Sequence, residues 1–93
     1  MDEVTLYGAG ELGVETYALL RRHGIQIQQW VDIKANKNPF YLFDKQILPT
    51  TALAKSDDST LIVICSEVAV QPMYAECLKQ GVKIENIITL DAK

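Results

Sequence analysis

The chain has 93 residues, of which 48% are hydrophobic and 23% are charged, and its net charge is −3. These values are typical of a soluble globular domain and exclude a disordered, collagen-like or coiled-coil chain. The nine Lys and Arg residues form no basic stripe, the longest apolar run has the length of a strand, and the acidic start lacks the features of a signal peptide. We therefore expect one cytoplasmic domain over residues 1–93, with neither a nucleic-acid nor a membrane partner.

The first predicted elements form a continuous strand, turn and helix. Residues 4–7 are a β-prone run that stops at Gly8, and a helical period begins at Glu11. Gly24 is expected to cap the end of this helix, where basic residues favour the carbonyl end of the helix dipole. His23 lies in that last turn, so a capping cation is a better interpretation of it than a general base. The helix face predicted to be buried comprises Leu12, Gly13, Thr16, Leu19 and Leu20.

The middle of the chain is predicted to be irregular. Residues 25–31 alternate and then become apolar, which predicts a second strand, and residues 34–39 are a polar loop. Residues 40–48 fit either a short extended pair that turns at Asp44-Lys45 or one irregular edge strand. Beyond Pro49, either Thr50 or Thr51 is expected to cap a helical turn through Ala54.

The remaining elements complete an alternating pattern. Residues 60–65 are the most apolar segment and predict a central strand covered on both faces. A second helix should begin near Val70 or Gln71, because Pro72 is tolerated only in a first turn, and it should end at Gly81. Its expected buried face comprises Val70, Met73, Tyr74, Cys77 and Leu78. With a last strand over residues 86–90, the pattern predicts an α/β fold, a three-layer Rossmann-like domain with a small parallel sheet and helices on both faces.

A glycine motif, G-x-G-x-x-G, joins the first strand to the first helix at residues 8–13. The first glycine is expected to allow a tight turn, the second to let a pyrophosphate approach the backbone, and the third to let the helix pack on the sheet. Free N–H groups at the helix start would face the anion. The residues predicted here to bind a cofactor are Gly8, Gly10, Glu11, Leu12 and Gly13. A tightly packed scaffold that binds nothing needs the same glycines, so that alternative stays open.

Two further residues are predicted to border the same site. Asp32 lies 19 residues after Gly13, near the roughly 20-residue spacing of an acid that binds a ribose. A carboxylate there repels a 2′-phosphate, which favours NAD over NADP, although Lys34 and Lys37 weaken this preference. Ser66 follows the central strand, and it is expected either to line the crevice or to cap the next helix. No catalytic residue and no metal ligand is predicted.

Four segments resemble those of a known group of domains: LYGAGELG at 6–13, WVD at 30–32, QILP at 46–49 and LIVI at 61–64, followed by a helix and Gly81. The group comprises the small Rossmann-like domains that open bacterial nucleotide-sugar-modifying proteins, namely sugar acyltransferases and polysaccharide-biosynthesis dehydratases or epimerases. The resemblance covers nearly the whole chain. It implies a pocket for NAD or a UDP-sugar, carried by Gly8, Gly10, Gly13 and Asp32.

Three functions agree with this sequence. The leading hypothesis is a nucleotide-binding module of nucleotide-sugar or polysaccharide metabolism that has no catalytic domain of its own. The second is an NAD-dependent sugar-nucleotide enzyme, or a fragment of one, completed by a homo-oligomer or by a missing catalytic domain. The third is an interaction domain in which the Rossmann site is vestigial.

Overall fold

The computed structural model describes residues 3–90, in which strands and helices alternate. The elements are β1 (Glu3–Tyr7), α1 (Glu11–Arg22), β2 (Ile27–Val31), β3 (Phe40–Leu42), β4 (Lys45–Ile47), β5 (Thr60–Ile64), α2 (Val70–Lys79) and β6 (Ile87–Thr89). Short 3₁₀ segments lie at Ile33–Asn36, Thr50–Lys55 and Ile84–Asn86. Within residues 3–90 no helix has the length and apolar character needed to cross a membrane.

The main sheet has four parallel strands in the order β2-β1-β5-β6. The chain leaves β1 through α1 to reach β2 on one side, and it leaves β5 through α2 to reach β6 on the other side. The direction of winding therefore reverses between β1 and β5. In open α/β sheets the carboxyl ends of the strands form a crevice at such a point, where ligands bind.

Each face of the sheet has its own apolar core, because successive strand residues point to opposite faces. Leu6 belongs to the core beneath α1, and its neighbour Tyr7 belongs to the core beneath α2 and Thr50–Lys55. The first core also contains Val4, Tyr17, Ile27, Trp30, Ala35, Ile47, Val63 and Cys65. The second also contains Val31, Ala52, Leu53, Ile62, Ile64, Cys77 and Val82. The predicted α/β fold, with helices on both faces of a parallel sheet, is confirmed.

The buried face of α1 is rotated from the predicted one. Leu19 is 48% exposed, whereas Tyr17 is buried and its ring stacks on Trp30 with centroids 4.6 Å apart. The helical period alone does not show that β2 places an indole beside this flank of the helix. In α2, Leu78 is likewise 41% exposed, because Cys77 occupies the centre of the buried face.

Residues 40–48 form the predicted extended pair, but its turn lies one residue earlier than expected. β3 and β4 are antiparallel, and Phe43-Asp44 rather than Asp44-Lys45 connects them. Lys45 belongs to β4, where its Nζ donates to the carbonyl oxygen of Ile27 at 2.7 Å. Beyond β4, Leu48 pairs in parallel with Val31, so this arm of the hairpin also extends the main sheet at the β2 edge.

Several predicted boundaries change for local reasons. Gly24 does follow the helix end, at φ +75°, and the N–H of Ile25 bonds back to Leu20, so β2 begins only at Ile27. The predicted cap at Thr50 or Thr51 is wrong. Pro49 precedes the 3₁₀ segment, and the Thr50 N–H instead donates to Asn36 Oδ1 at 2.9 Å.

Candidate functional site

The glycine turn is held between the two strands that flank β1. The N–H of Gly8 donates to the Val31 carbonyl at 2.8 Å, and the N–H of Cys65 donates to the Tyr7 carbonyl at 2.8 Å. Gly8 has φ +119°, and a Cβ there would lie 2.7 Å from the carbonyl oxygen of Cys65. Only glycine fits this position, because both the backbone conformation and the available space exclude a side chain.

Gly13 brings the first turn of α1 against the strand end. A Cβ at Gly13 would lie 2.0 Å from the carbonyl oxygen of Gly8, so the close approach of helix and strand expected here is confirmed. The same oxygen accepts a hydrogen bond from Trp30 Nε1 at 2.7 Å. The shape of the turn is thus determined jointly by β1, α1 and β2.

The start of α1 is open to a ligand. Gly10 occupies the N-cap position, and no side chain of residues 3–90 caps the helix there. The first N–H groups of a helix lack partners within it, so those of Glu11, Leu12 and Gly13 are available to an acceptor, and the helix dipole favours an anion. A Cβ at Gly10 would meet nothing within 4 Å. The side chain of Glu11 is exposed, whereas Leu12 packs partly into the core.

Asp32 connects the glycine turn to the segment that follows β2. Its side chain is 8% exposed, Oδ2 accepts from the N–H of Ala9 at 2.7 Å, and Oδ1 accepts from the N–H of Lys34 at 2.8 Å. A carboxylate has about four acceptor positions, so each oxygen can accept a second hydrogen bond. Local Asx-turn chemistry could have indicated the bond to Lys34. The bond to Ala9 spans 23 residues, and no local pattern predicts it.

Ser66 lies at the crevice, but the expectation that it caps the next helix is wrong, because Ala69 occupies the N-cap of α2 and no side chain among the described residues caps that helix. Its Oγ accepts from the N–H of Ala69 at 2.9 Å and from the N–H of Val68 at 3.3 Å, so it stabilises the turn before α2. It also lines the open space above the carboxyl ends of β1 and β5.

Two cavities meet at the glycine turn. The one on the side of Asp32 has a volume of about 660 Å³, and the one on the opposite side has about 370 Å³. Both are in the range that small-molecule sites occupy in proteins. The lining residues common to the two are Gly10, Cys65, Ser66 and Val68. Because these residues border both cavities, one elongated molecule can cross the glycine turn from one cavity to the other.

Among the residues that line the cavity on the side of Asp32 and that the sequence did not indicate are Tyr7, Ile33, Val68 and Glu76. Ile33 and Val68 are 67% and 96% exposed, so most of the surface of these two apolar side chains is in contact with solvent at the rim. Burial, and secondarily the charge of Glu76, raise the pKa of Tyr7 above its ordinary value, so its phenol stays neutral. The one available signal was an apolar Ile33 between Asp32 and the polar loop predicted over residues 34–39.

Comparisons with known proteins extend this description. No family model and no curated protein matches the chain. Its fold does have solved counterparts. The structure of RSP, a Rex-family repressor, has a TM-score of 0.61 at 15% identity and covers 96% of this chain and 51% of that one. RSP in complex with beta-NADH has a TM-score of 0.63 at 14% identity and covers 100% of this chain and 54% of that one.

These two structures show the fold of the chain, which is Rossmann-like, as the sequence predicts. The chain spans about half the length of either neighbour. Neither neighbour is described as acting on nucleotide sugars. Both belong to a protein named as a repressor, and the exclusion of nucleic acid as a partner of this chain stays a prediction.

Proposed function

We propose that this domain is an NAD(H)-binding module whose site is the crevice at the glycine turn. The observation that carries the proposal is Asp32, a buried carboxylate bonded to the turn at 2.7 Å and placed at the rim of the larger cavity. An anion-binding helix start and a hydroxyl-binding carboxylate are the two groups that a dinucleotide requires. A structural neighbour of similar fold was determined with beta-NADH, which supports this ligand class.

The parts of the ligand follow from the chemistry of the site. The pyrophosphate lies over Gly10, where a side chain would meet nothing within 4 Å, and it accepts from the first N–H groups of α1. The adenosine ribose donates its hydroxyls to the free lone pairs of Asp32. The adenine ring lies between Ile33 and Val68, whose exposed apolar side chains flank the same cavity. Contact with adenine would remove apolar surface of both from water.

The site favours NAD over NADP. A 2′-phosphate would stand beside the carboxylate of Asp32, and two like charges in a partly buried site repel each other. Lys34 lines the same cavity and reduces this repulsion. The residues proposed for cofactor binding are Gly8, Gly10, Glu11, Leu12, Gly13, Asp32 and Ser66. The proposal is supported by the lining of the two cavities, which includes all of them except Gly13.

The biological setting is a finer proposal. A link to nucleotide-sugar or polysaccharide metabolism, with a UDP-sugar as the alternative ligand, rests on the sequence resemblance alone. The same holds for an enzyme completed by a second copy or by another domain. We therefore base the first experiment on the ligand rather than on a reaction.

The deciding experiment is isothermal titration calorimetry of the chain with NAD⁺, NADH, NADP⁺, UDP-N-acetylglucosamine and coenzyme A. We expect saturable binding of NAD⁺ or NADH and weaker binding of the other three. Gly10→Ala should weaken the affinity about tenfold or more, since a methyl group over the turn costs the pyrophosphate one charge-assisted hydrogen bond or more. Its free energy of unfolding should fall by about 1 kcal/mol or less, because the added Cβ meets nothing within 4 Å and only the N-cap preference for glycine over alanine is lost.

Asp32→Asn is the matched variant for selectivity. It keeps the shape of the side chain and an acceptor oxygen for the N–H of Ala9, and it loses only the bond from the N–H of Lys34, which an amide NH2 cannot accept. Asp32→Ala would remove the acceptors of both N–H groups. We expect Asp32→Asn to reduce the preference for NAD⁺ over NADP⁺. Tight binding of the UDP-sugar alone would show that the site binds nucleotide sugars and would contradict the NAD(H) proposal. A chain that binds none of the five ligands would contradict the proposal and favour a vestigial site.

A further inference from the structure

The smaller cavity has a charge pattern that the larger one lacks. It lies on the side of Gly10 away from Asp32, and the carboxylates of Glu11, Glu15 and Glu67 line it. None of the described residues around it is a Lys or an Arg, whereas Lys34 lines the larger cavity. All three glutamates are exposed.

The occupant of this cavity follows from the proposed function, on which the present inference rests. A dinucleotide with its adenosine ribose on Asp32 and its pyrophosphate over Gly10 must extend its second nucleoside to the other side of the turn. The smaller cavity starts there, since it shares four lining residues with the larger one, namely Gly10, Cys65, Ser66 and Val68. The nicotinamide half is therefore placed next to the three carboxylates.

We infer that this site discriminates between the two redox states of its ligand and binds NAD⁺ more tightly than NADH. The nicotinamide ring of NAD⁺ is a pyridinium cation, whereas the dihydropyridine ring of NADH is neutral. The two molecules otherwise present the same adenosine, riboses and pyrophosphate. Both molecules make the same contacts with Asp32 and with the start of α1, so these contacts do not change the ratio of the NAD⁺ affinity to the NADH affinity. This ratio therefore measures the effect of the charges around the nicotinamide ring.

The size of the effect follows from Coulomb attraction in a wet site. One carboxylate at about 7 Å from the ring charge in a water-like dielectric changes the affinity about threefold. Because all three carboxylates are exposed, side-chain motion and salt weaken each contribution. We expect NAD⁺ to bind about tenfold more tightly than NADH at low ionic strength. The preference should decrease as salt is added.

The test compares calorimetric affinities for NAD⁺, NADH and ADP-ribose in the full chain and in the double variant Glu15→Gln/Glu67→Gln. We expect the double variant to lose most of the NAD⁺ preference while its affinity for ADP-ribose, which has no nicotinamide ring, changes less than about twofold. The matched control is Glu3→Gln/Glu85→Gln. It removes the same charge from two exposed residues near the amino ends of β1 and β6, at the opposite edge of the sheet.

The outcomes separate this inference from the proposed function. Binding of ADP-ribose with equal affinities for NAD⁺ and NADH, or with NADH tighter, overturns the redox preference and leaves the NAD(H) module intact. An NAD⁺ preference that persists in the double variant, or that the control abolishes equally, overturns the role of these carboxylates. Failure of all three ligands to bind overturns the proposed function, and the preference with it.

Discussion

At the scale of single residues, the carbonyl oxygen of Gly8 restricts its neighbours most. This oxygen accepts a hydrogen bond from Trp30 Nε1 at 2.7 Å. A Cβ added at Gly13 would lie only 2.0 Å from the same oxygen, so no side chain fits at Gly13. The strand end and the first turn of α1 are therefore in direct backbone contact. The glycine motif at residues 8–13 is therefore required for packing as well as for the proposed binding of a ligand.

Gly13→Ala should destabilise the domain severely, because the added methyl group meets backbone rather than a flexible side chain. We expect a loss of about 3 kcal/mol or more in the free energy of unfolding, at the top of the range for overpacking. Gly10→Ala provides the control. It also replaces a glycine of the motif, but it points into open space, and an alanine N-cap costs about 1 kcal/mol or less relative to glycine.

Urea unfolding of the two variants, followed by far-UV circular dichroism, measures the difference. Equal midpoints for Gly13→Ala and Gly10→Ala would contradict the close approach of helix and strand. A Gly13→Ala variant that does not fold would agree with it, provided that Gly10→Ala folds.

At the scale of elements, the β3–β4 hairpin turns through two residues with positive φ, Phe43 at 55° and Asp44 at 81°. A two-residue turn of this kind matches the twist of the strands but prefers Asn-Gly or Asp-Gly. The Phe43 ring stacks on Tyr17 with centroids 5.8 Å apart, and this contact helps to hold an unfavourable backbone conformation. Asp44 is exposed, so packing does not hold its side chain in the same way.

Asp44→Gly should therefore stabilise the domain. Glycine adopts φ near +80° without steric cost, although it also gains freedom in the unfolded chain, so the net gain is about 0.5 kcal/mol. For a domain of this size that raises the Tm by about 2–4 °C. Differential scanning calorimetry provides the measurement.

Asp58→Gly is the matched control for the turn. Asp58 is also exposed, but its φ is not positive. Its ion pair with Lys83, at 3.0 Å, joins two exposed side chains and therefore contributes little to stability. Glycine there should leave the Tm unchanged or lower it. An increase of the Tm in both variants would contradict the assignment of backbone strain to the positive φ of Asp44.

The elements also show how far a local pattern predicts this fold. The periodicities of β1, α1, β5 and α2 were sufficient to give the α/β fold class and the helix positions. They failed where a distant residue decides the outcome. Tyr17 is buried instead of Leu19 because of Trp30, and the hairpin turns at Phe43 because Lys45 binds the Ile27 carbonyl.

At the scale of the whole molecule, the two cores contain one buried thiol each, Cys65 on the α1 face and Cys77 on the α2 face. Burial raises the pKa of both thiols to about 11, from an ordinary value of 9.0, and the charge of Glu76 adds to the effect at Cys77. The folded chain thus keeps two protons that the unfolded chain releases above pH 9. The contribution of these two thiols to the free energy of unfolding is fully present below pH 9 and is lost as the pH rises toward 11.

We expect the free energy of unfolding to fall by roughly 1 kcal/mol for each thiol between pH 8 and pH 10. Urea unfolding across this range measures the slope. The double variant Cys65→Ala/Cys77→Ala starts from a lower stability but should show a flatter pH dependence. Thiolate absorbance that appears in the folded protein near pH 9 would contradict the raised pKa values.

The candidate site shows a similar division between what was and was not predictable. The spacing of the glycines and of Asp32 was enough to locate the crevice, because the motif places both at the carboxyl ends of adjacent strands. The apolar rim at Ile33 and Val68 and the three carboxylates beyond Gly10 were not predicted as a group. They come together only through the reversal of winding between β1 and β5.

Trp30 gives this domain a built-in optical reporter. It is the single tryptophan of the chain, it is fully buried, and its indole N–H is bonded to the glycine turn itself. Any ligand that displaces the turn must alter the surroundings of that one chromophore. A dihydronicotinamide ring held nearby also absorbs in the region where indole emits, so quenching with sensitised emission would reveal the reduced dinucleotide without any label.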